Sequence, residues 1–298
     1  MTQLIERLSD GLTNGFVYAL IALALVVVFK ASSTVNFAQA EMALFTTYVA
    51  WWMTTRGISI WLALLAACVV GFIIGAAIER TLVRPAEKRG EMPTLLILVA
   101  LFTAINAIDG LIWGLEYHSM DGLFPAGLDD YVSVASARIY YEDIGVWAAA
   151  IIALAVCFMV INKTRLGLLM RAAADNPASA ALSGINVGKV YTFGWGSAAV
   201  IGSIAGILIA PISPHQLSMA TMFPVLIYGS AAAIIGGLNS LGGAVVGGLT
   251  LGLAESLITG YVGFIGPQLH QTTALAVMVI VLLVRPTGIF GSRRLERV

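Results

Sequence analysis

NKTRLGLLMRAAADNPASAALSGINVGK, residues 162–189, is a long polar insertion between strongly apolar segments, and its composition suits a folded element better than a slack connection. Ala172, Ala173 and Ala174, then Ala178, Ala180, Ala181 and Leu182, are good helix formers, so the insertion reads as a short helix broken or restarted at Pro177. Asp175 or Asn176 would cap the restart, and Pro177 suits its first helical position. Lys163, Arg165, Arg171 and Lys189 make the insertion basic. On the inner face of a membrane protein such an element is a handle for a soluble partner. The alternative is a surface loop whose charges only fix orientation.

Outward from this stretch the chain is apolar almost everywhere. Of 298 residues, 59% are hydrophobic and 11% charged, against about 25% charged in soluble domains, and the mean hydropathy is +0.93. The fold class is therefore an all-α polytopic integral membrane protein, a single transmembrane domain over residues 1–298. Sixteen basic and sixteen acidic residues cancel, so charge predicts no nucleic-acid partner. Cys68 and Cys157 lie in apolar runs and read as buried thiols rather than a disulfide framework. The first apolar run contains Asn14 and lacks a small-residue cleavage site, so it is expected to be retained.

Nine apolar runs follow one another at 12–29, 37–52, 60–78, 93–113, 144–161, 190–210, 223–236, 243–258 and 269–284; wrong division of one would leave eight. Ser9 or Asp10 is the expected cap of the first. The second opens with Asn36, Gln39 and Glu41, polar chemistry that lipid cannot satisfy, which predicts a broken or re-entrant helix facing protein or a cavity. Basic residues collect at 79–91 (Arg80, Arg84, Lys88, Arg89), in 162–189, and in the tail (Arg285, Arg293, Arg294, Arg297). These three are expected to be cytoplasmic, the C-terminus included, with the acidic interval 114–143 external and a short strand or an interfacial segment at 132–139. Backward alternation places the N-terminus outside.

Glycines four apart recur at 11/15, 71/75, 202/206, 243/247 and 248/252, a spacing that lets helix backbones approach. The cluster at 236–252 fits either a translocation pathway or plain helix packing. His118, His215 and His270 form no metal-ligand or nucleophile–base spacing, and no phosphate-cradling glycine loop carries its lysine. The chain therefore reads as having no catalytic site, metal, cofactor or ATP site of its own. Asn36, Gln39, Glu41, Asn106, Asp109, Asn239 and Glu255 are the candidates for conduction or gating, because intramembrane polar groups usually face a bundle interior or a water-filled cavity. Each has a packing alternative, Glu41 at the donors of a broken helix and Glu255 in a bond to a neighbouring helix.

Five motifs carry a family resemblance. YALIALALVVVFK followed by NFAQAEM (within 15–42), ERTLVRP (79–85), RAAADNPASAALSGINV (171–187), GGLNSLGGAVVGG (236–248) and LLVRPTGIFG (282–291) together resemble, in order and over nearly the whole chain, the permease subunits of bacterial branched-chain amino acid ABC transporters. The similarity is greater to the shorter, H-type subunit than to its longer partner. Gln39, where the family often has glycine, and Asn176, where an acidic or similar residue is common, are departures. The resemblance implies an ABC importer permease fold in the bacterial inner membrane. It also implies a complex of two related permease subunits with two cytoplasmic ATPases, loaded by a periplasmic substrate-binding protein. The 162–189 loop would dock on an ATPase through Arg171, Asp175, Asn176 and Pro177. Leucine, isoleucine and valine are the implied cargo. Other amino acids, urea or short amides are alternatives, and an ion-coupled secondary transporter is the alternative of a different class.

Overall fold

The computed structural model describes residues 2–127, 129–212 and 216–261, with single positions beyond these between 272 and 290. The first helix, α1 (Thr2–Ser32), is the axis of the bundle. Its residues are apolar on every side, which is the pattern of a helix enclosed by others; 78% of its most apolar window is buried, against 17% for α5. It starts at Thr2, so Ser9 and Asp10 do not cap it. Ser9 and Thr13 instead donate to Asp143, at 3.4 and 2.6 Å.

The chain then breaks, as Asn36, Gln39 and Glu41 require. Ser33 takes a left-handed conformation (φ 56°) and helix resumes only at α2 (Gln39–Thr54). The non-helical backbone at Asn36 and Ala38 is buried in protein, the condition under which irregular backbone is tolerated at membrane depth. Asn36 Oδ1 accepts from the Ala38 N–H (3.1 Å), and Gln39 Nε2 donates to the Ala198 carbonyl (2.9 Å).

The third helix, α3 (Ile60–Ile78), does not end where the sequence turns charged. It continues through a π-helical turn (Glu79–Val83) into α4 (Arg84–Glu87), so much of the expected loop 79–91 is helix. Mutual neutralisation explains the difference: Glu79 is 1% exposed and takes two bonds from Arg84, at 2.8 and 2.6 Å. α5 (Glu91–Trp113) returns. The interval that follows forms β1 (His118–Ser119) and the antiparallel hairpin β2 (Tyr131–Val134) with β3 (Ala137–Tyr140), where the short strand was expected.

After α6 (Tyr141–Lys163) come the two short helices of the polar insertion, α7 (Arg165–Asp175) and α8 (Pro177–Leu182). α9 (Val187–Ile209), β4 (Gln216–Leu217, paired with β1), α10 (Met222–Gly236) and α11 (Leu241–Tyr261) complete the described elements. Among the described residues six helices are long and apolar enough to cross a membrane: α1, Ile60–Glu87, α5, α6, α9 and α11. α2 and α10, of 16 and 15 residues, are shorter. The run at 269–284, apart from single positions, and the tail arginines lie outside the described residues.

Close packing follows the glycine spacings. α1 crosses α11 where Gly11 and Gly15 face Gly248 and Gly252, and a methyl added at Gly252 would fall on the Gly15 backbone. Gly75 lets α3 approach α9, with the Trp195 carbonyl 2.7 Å from where a Cβ would sit. The 236–252 cluster thus packs helix on helix.

Candidate functional site

Two places concentrate polar chemistry. The first is the handle at one end of the bundle. Thr164, extended, caps α7 by accepting from the Gly167 N–H; Gly167, Met170 and Ala173 are buried, while Arg165, Arg171 and Asp175 face out. Asn176 then leaves helical geometry (φ −151°, ψ 98°) and its side chain accepts from the Ser179 N–H at 2.9 Å, with Pro177 in the first turn of α8. Of the two expected caps, Asn176 is the one used. Leu182, at the end of α8, is 91% exposed, an apolar knob on the surface of the described residues. Arg171 and Asp175 line a cavity of about 290 Å³ with Lys30, Ser33 and Asn239.

The insertion is anchored from behind. Arg84, already bound to Glu79, also donates to the Gly188 carbonyl (2.6 Å) and to Thr192 Oγ1 (2.7 Å), and Thr192 donates to Glu79 (2.7 Å). This cluster ties the end of α3 to the first turn of α9, immediately after the handle. The intervals 79–91 and 162–189 therefore share one end of the bundle, and α6, 23 residues long, separates them from 114–143 by about 34 Å.

The second place lies within the bundle, where α2 packs on α5. The inward stripe of α5 is Thr94, Leu98, Leu101, Ile105 and then Asp109, a carboxylate where the pattern calls for an apolar side chain. Asn106, half-buried, donates to Glu41 Oε2 at 2.9 Å and to the Met219 carbonyl at 3.4 Å. Tyr48 stacks on Trp113 (centroids 5.1 Å apart), and His118 lies 4.1 Å from the Trp51 ring.

The seven conduction candidates are not all brought together. Glu41 joins Asn106 and Asp109. Asn36 and Gln39 are bonded to each other (3.2 Å) and into the helix break. Glu255 accepts from the Tyr18 hydroxyl at 2.9 Å, beside the Tyr18–Tyr228 stack. Asn239 is at the other site, next to α7. Sequence reading missed Tyr48, because an apolar run hides an aromatic hydroxyl, and missed Thr192, which is 113 residues from the Glu79 it contacts.

With this geometry in place, similarity to known proteins decides the family: the family described as branched-chain amino acid transport system / permease component matches residues 7–284. The chain belongs to that family. This permease is 29% identical over 308 aligned residues to the high-affinity branched-chain amino acid transport system permease protein LivH of Escherichia coli K12, covering 99% of this chain and 97% of that one. It is 27% identical to the corresponding protein BraD of Pseudomonas aeruginosa, covering 99% and 98%. The solved structure of PsaBC from Streptococcus pneumoniae in complex with Fab aligns over 93% of this permease and 91% of that chain, with a TM-score of 0.51 and 12% identity, a likeness of fold alone. Proteins of this kind are transport subunits, and the ATPase is a separate chain.

Proposed function

We propose that this permease is the membrane-spanning subunit of an ATP-driven importer that moves leucine, isoleucine and valine into the cytoplasm across the bacterial inner membrane. The observation that carries this reading is the end-to-end similarity, 99% of the chain, to permeases named for branched-chain amino acids. A second related permease, two cytoplasmic ATPase subunits and a periplasmic substrate-binding protein complete the complex. The basic end of the bundle, with 79–91 and 162–189, is cytoplasmic, as is the arginine-bearing C-terminal tail, and 114–143 faces out, a reading supported by the excess of Lys and Arg.

Coupling runs through the handle. Arg171, Asp175, Asn176 and Pro177 form or support the surface that an ATPase grips, and the exposed Leu182 gives it an apolar anchor. Displacement of α7 and α8 reaches α9 through the short link 183–186 and reaches α3 through Arg84. Glu41 belongs to the transport route. Asn36 and Gln39 shape the break that positions Glu41, Glu255 locks α11 to α1, and Asn239 borders the handle.

One observation favours keeping the cargo open to test. Residues covering 47% of this permease are 30% identical to the ribose import permease RbsC of Escherichia coli K12, so the scaffold is shared by permeases of unlike cargo. The test is uptake by the full complex in proteoliposomes, with ATP inside and binding protein outside, comparing labelled leucine with labelled urea. Leucine uptake without urea uptake is expected. Urea uptake without leucine uptake would discard the cargo and leave an ATP-driven importer.

A further inference from the structure

Glu41, Tyr48 and Asp109 are each 0% exposed. Glu41 and Tyr48 lie on the buried face of α2 and Asp109 on that of α5, where Asn106, one turn before Asp109, bonds Glu41 and Trp113, one turn after Asp109, stacks on Tyr48. Glu41 Oε1, both Asp109 oxygens and the Tyr48 hydroxyl have no hydrogen-bond partner among the described residues. Three other carboxylates of the bundle are treated differently. Glu79 is satisfied by Arg84 and Thr192, Asp143 by Ser9 and Thr13, and Glu255 by Tyr18. Orphaned polar atoms on this scale inside a protein call for a group that the chain does not itself supply.

The chemistry of these unpartnered atoms specifies that group. Three carboxylate oxygens and a hydroxyl oxygen along one stretch of the α2–α5 contact lack donors, so it must be a cation rich in donors. An ammonium offers three N–H donors from one compact centre. Tyr48 and Trp113 stack one turn beyond Asp109, and aromatic rings attract a cation and repel an anion at their faces. A divalent metal is a poorer fit, because calcium takes six to eight oxygens, and no group of three or more His, Cys, Asp or Glu suited to a metal occurs among the described residues. Half-buried Asn106 bridges Glu41 and the Met219 carbonyl at the edge of this group.

We propose that Glu41 and Asp109, with the Tyr48 hydroxyl, form an ammonium subsite on the transport route that takes the α-ammonium group of the amino acid in transit. The subsite rests on the importer reading above and gives it a residue-level contact with cargo.

The experiment uses the full complex in lipid and has two readouts. In the first, dicyclohexylcarbodiimide, an apolar reagent for buried carboxyl groups, labels the wild-type complex, and modification at Glu41 and Asp109 is followed by mass spectrometry. Leucine and methylammonium chloride should slow that labelling at least threefold, while 4-methylvalerate, the same carbon chain without the ammonium, and sodium chloride should not. Protection by sodium equal to that by methylammonium would overturn the assignment in favour of a small-ion site. In the second readout, Asp109→Asn and Glu41→Gln, which keep shape and mimic a neutral acid, should each lower ATP-driven leucine uptake at least tenfold in complexes that still assemble. Full uptake in both variants would overturn the subsite by showing that protonated acids suffice. Wild-type complexes that take up leucine but show no protection would also overturn the subsite and leave the importer standing. Absence of ATP-driven leucine uptake in wild type would count against the importer itself.

Discussion

At Glu79 a single arginine decides whether a carboxylate can remain buried. The side chain is 1% exposed, and Arg84 reaches it with two bonds while spanning to Gly188 and Thr192. Removing one partner of a buried pair leaves an uncompensated charge, at a cost of about 3–5 kcal/mol. Arg84→Ala should therefore lower the thermal midpoint of the purified permease strongly, whereas Arg80→Ala, at an exposed position, should change stability by less than about 0.5 kcal/mol. Equal midpoints for the two variants in detergent melts would remove the cluster from the stability account. Residues of this kind divide by range. The Asn176 cap was legible because its bond closes within three residues and only a few side chains can make it. The Thr192–Glu79 contact was not, since nothing in either local pattern points across 113 residues. Likewise Glu41, Asn106 and Asp109 were visible as intramembrane polar residues, but their meeting, with Tyr48, depends on how α2 lies against α5.

Among the elements, the handle has the clearest mechanical reading. α7 buries Gly167, Met170 and Ala173 and turns Arg171 outward, and α8 restarts at a capped proline. Reversing a surface charge there makes no core cavity, so Arg171→Glu should leave a folded permease in the membrane while weakening ATPase docking. In complexes reconstituted in lipid, substrate-stimulated ATP hydrolysis and uptake should both fall, with the permease present at normal level; normal values of both would take Arg171 out of the coupling role. The two short helices were readable from alanine content and Pro177. The helical course of 79–87 was not, because its charges match a solvated loop until Glu79 and Arg84 are seen to neutralise each other across a π turn. Glycine spacings foretold close approach, but not which helices meet: 11/15 against 248/252 pairs the two ends of the described bundle.

For the whole molecule, class followed from composition alone, since 11% charge cannot cover a soluble surface. The expected topology rests on where the basic residues fall, and the fold adds that 79–91 and 162–189 share an end. In a background lacking Cys68 and Cys157, an impermeant external thiol reagent should label a cysteine placed at Ser133 and spare one placed at Ser179; the reverse pattern would invert the orientation. The boundaries of α1 were less legible, because Ser9 or Asp10 read as its cap until the Ser9 hydroxyl is seen to donate to Asp143 from within the helix. The central claim, transport driven by ATP through separate ATPase subunits, meets its most direct test in the energy source. Proteoliposomes holding the full complex, with leucine-loaded binding protein outside, are assayed with ATP inside and no ion gradient, then with an imposed proton or sodium gradient and no ATP. Accumulation of labelled leucine in the first condition and none in the second is the predicted result; accumulation that persists without ATP and follows the gradient would contradict it.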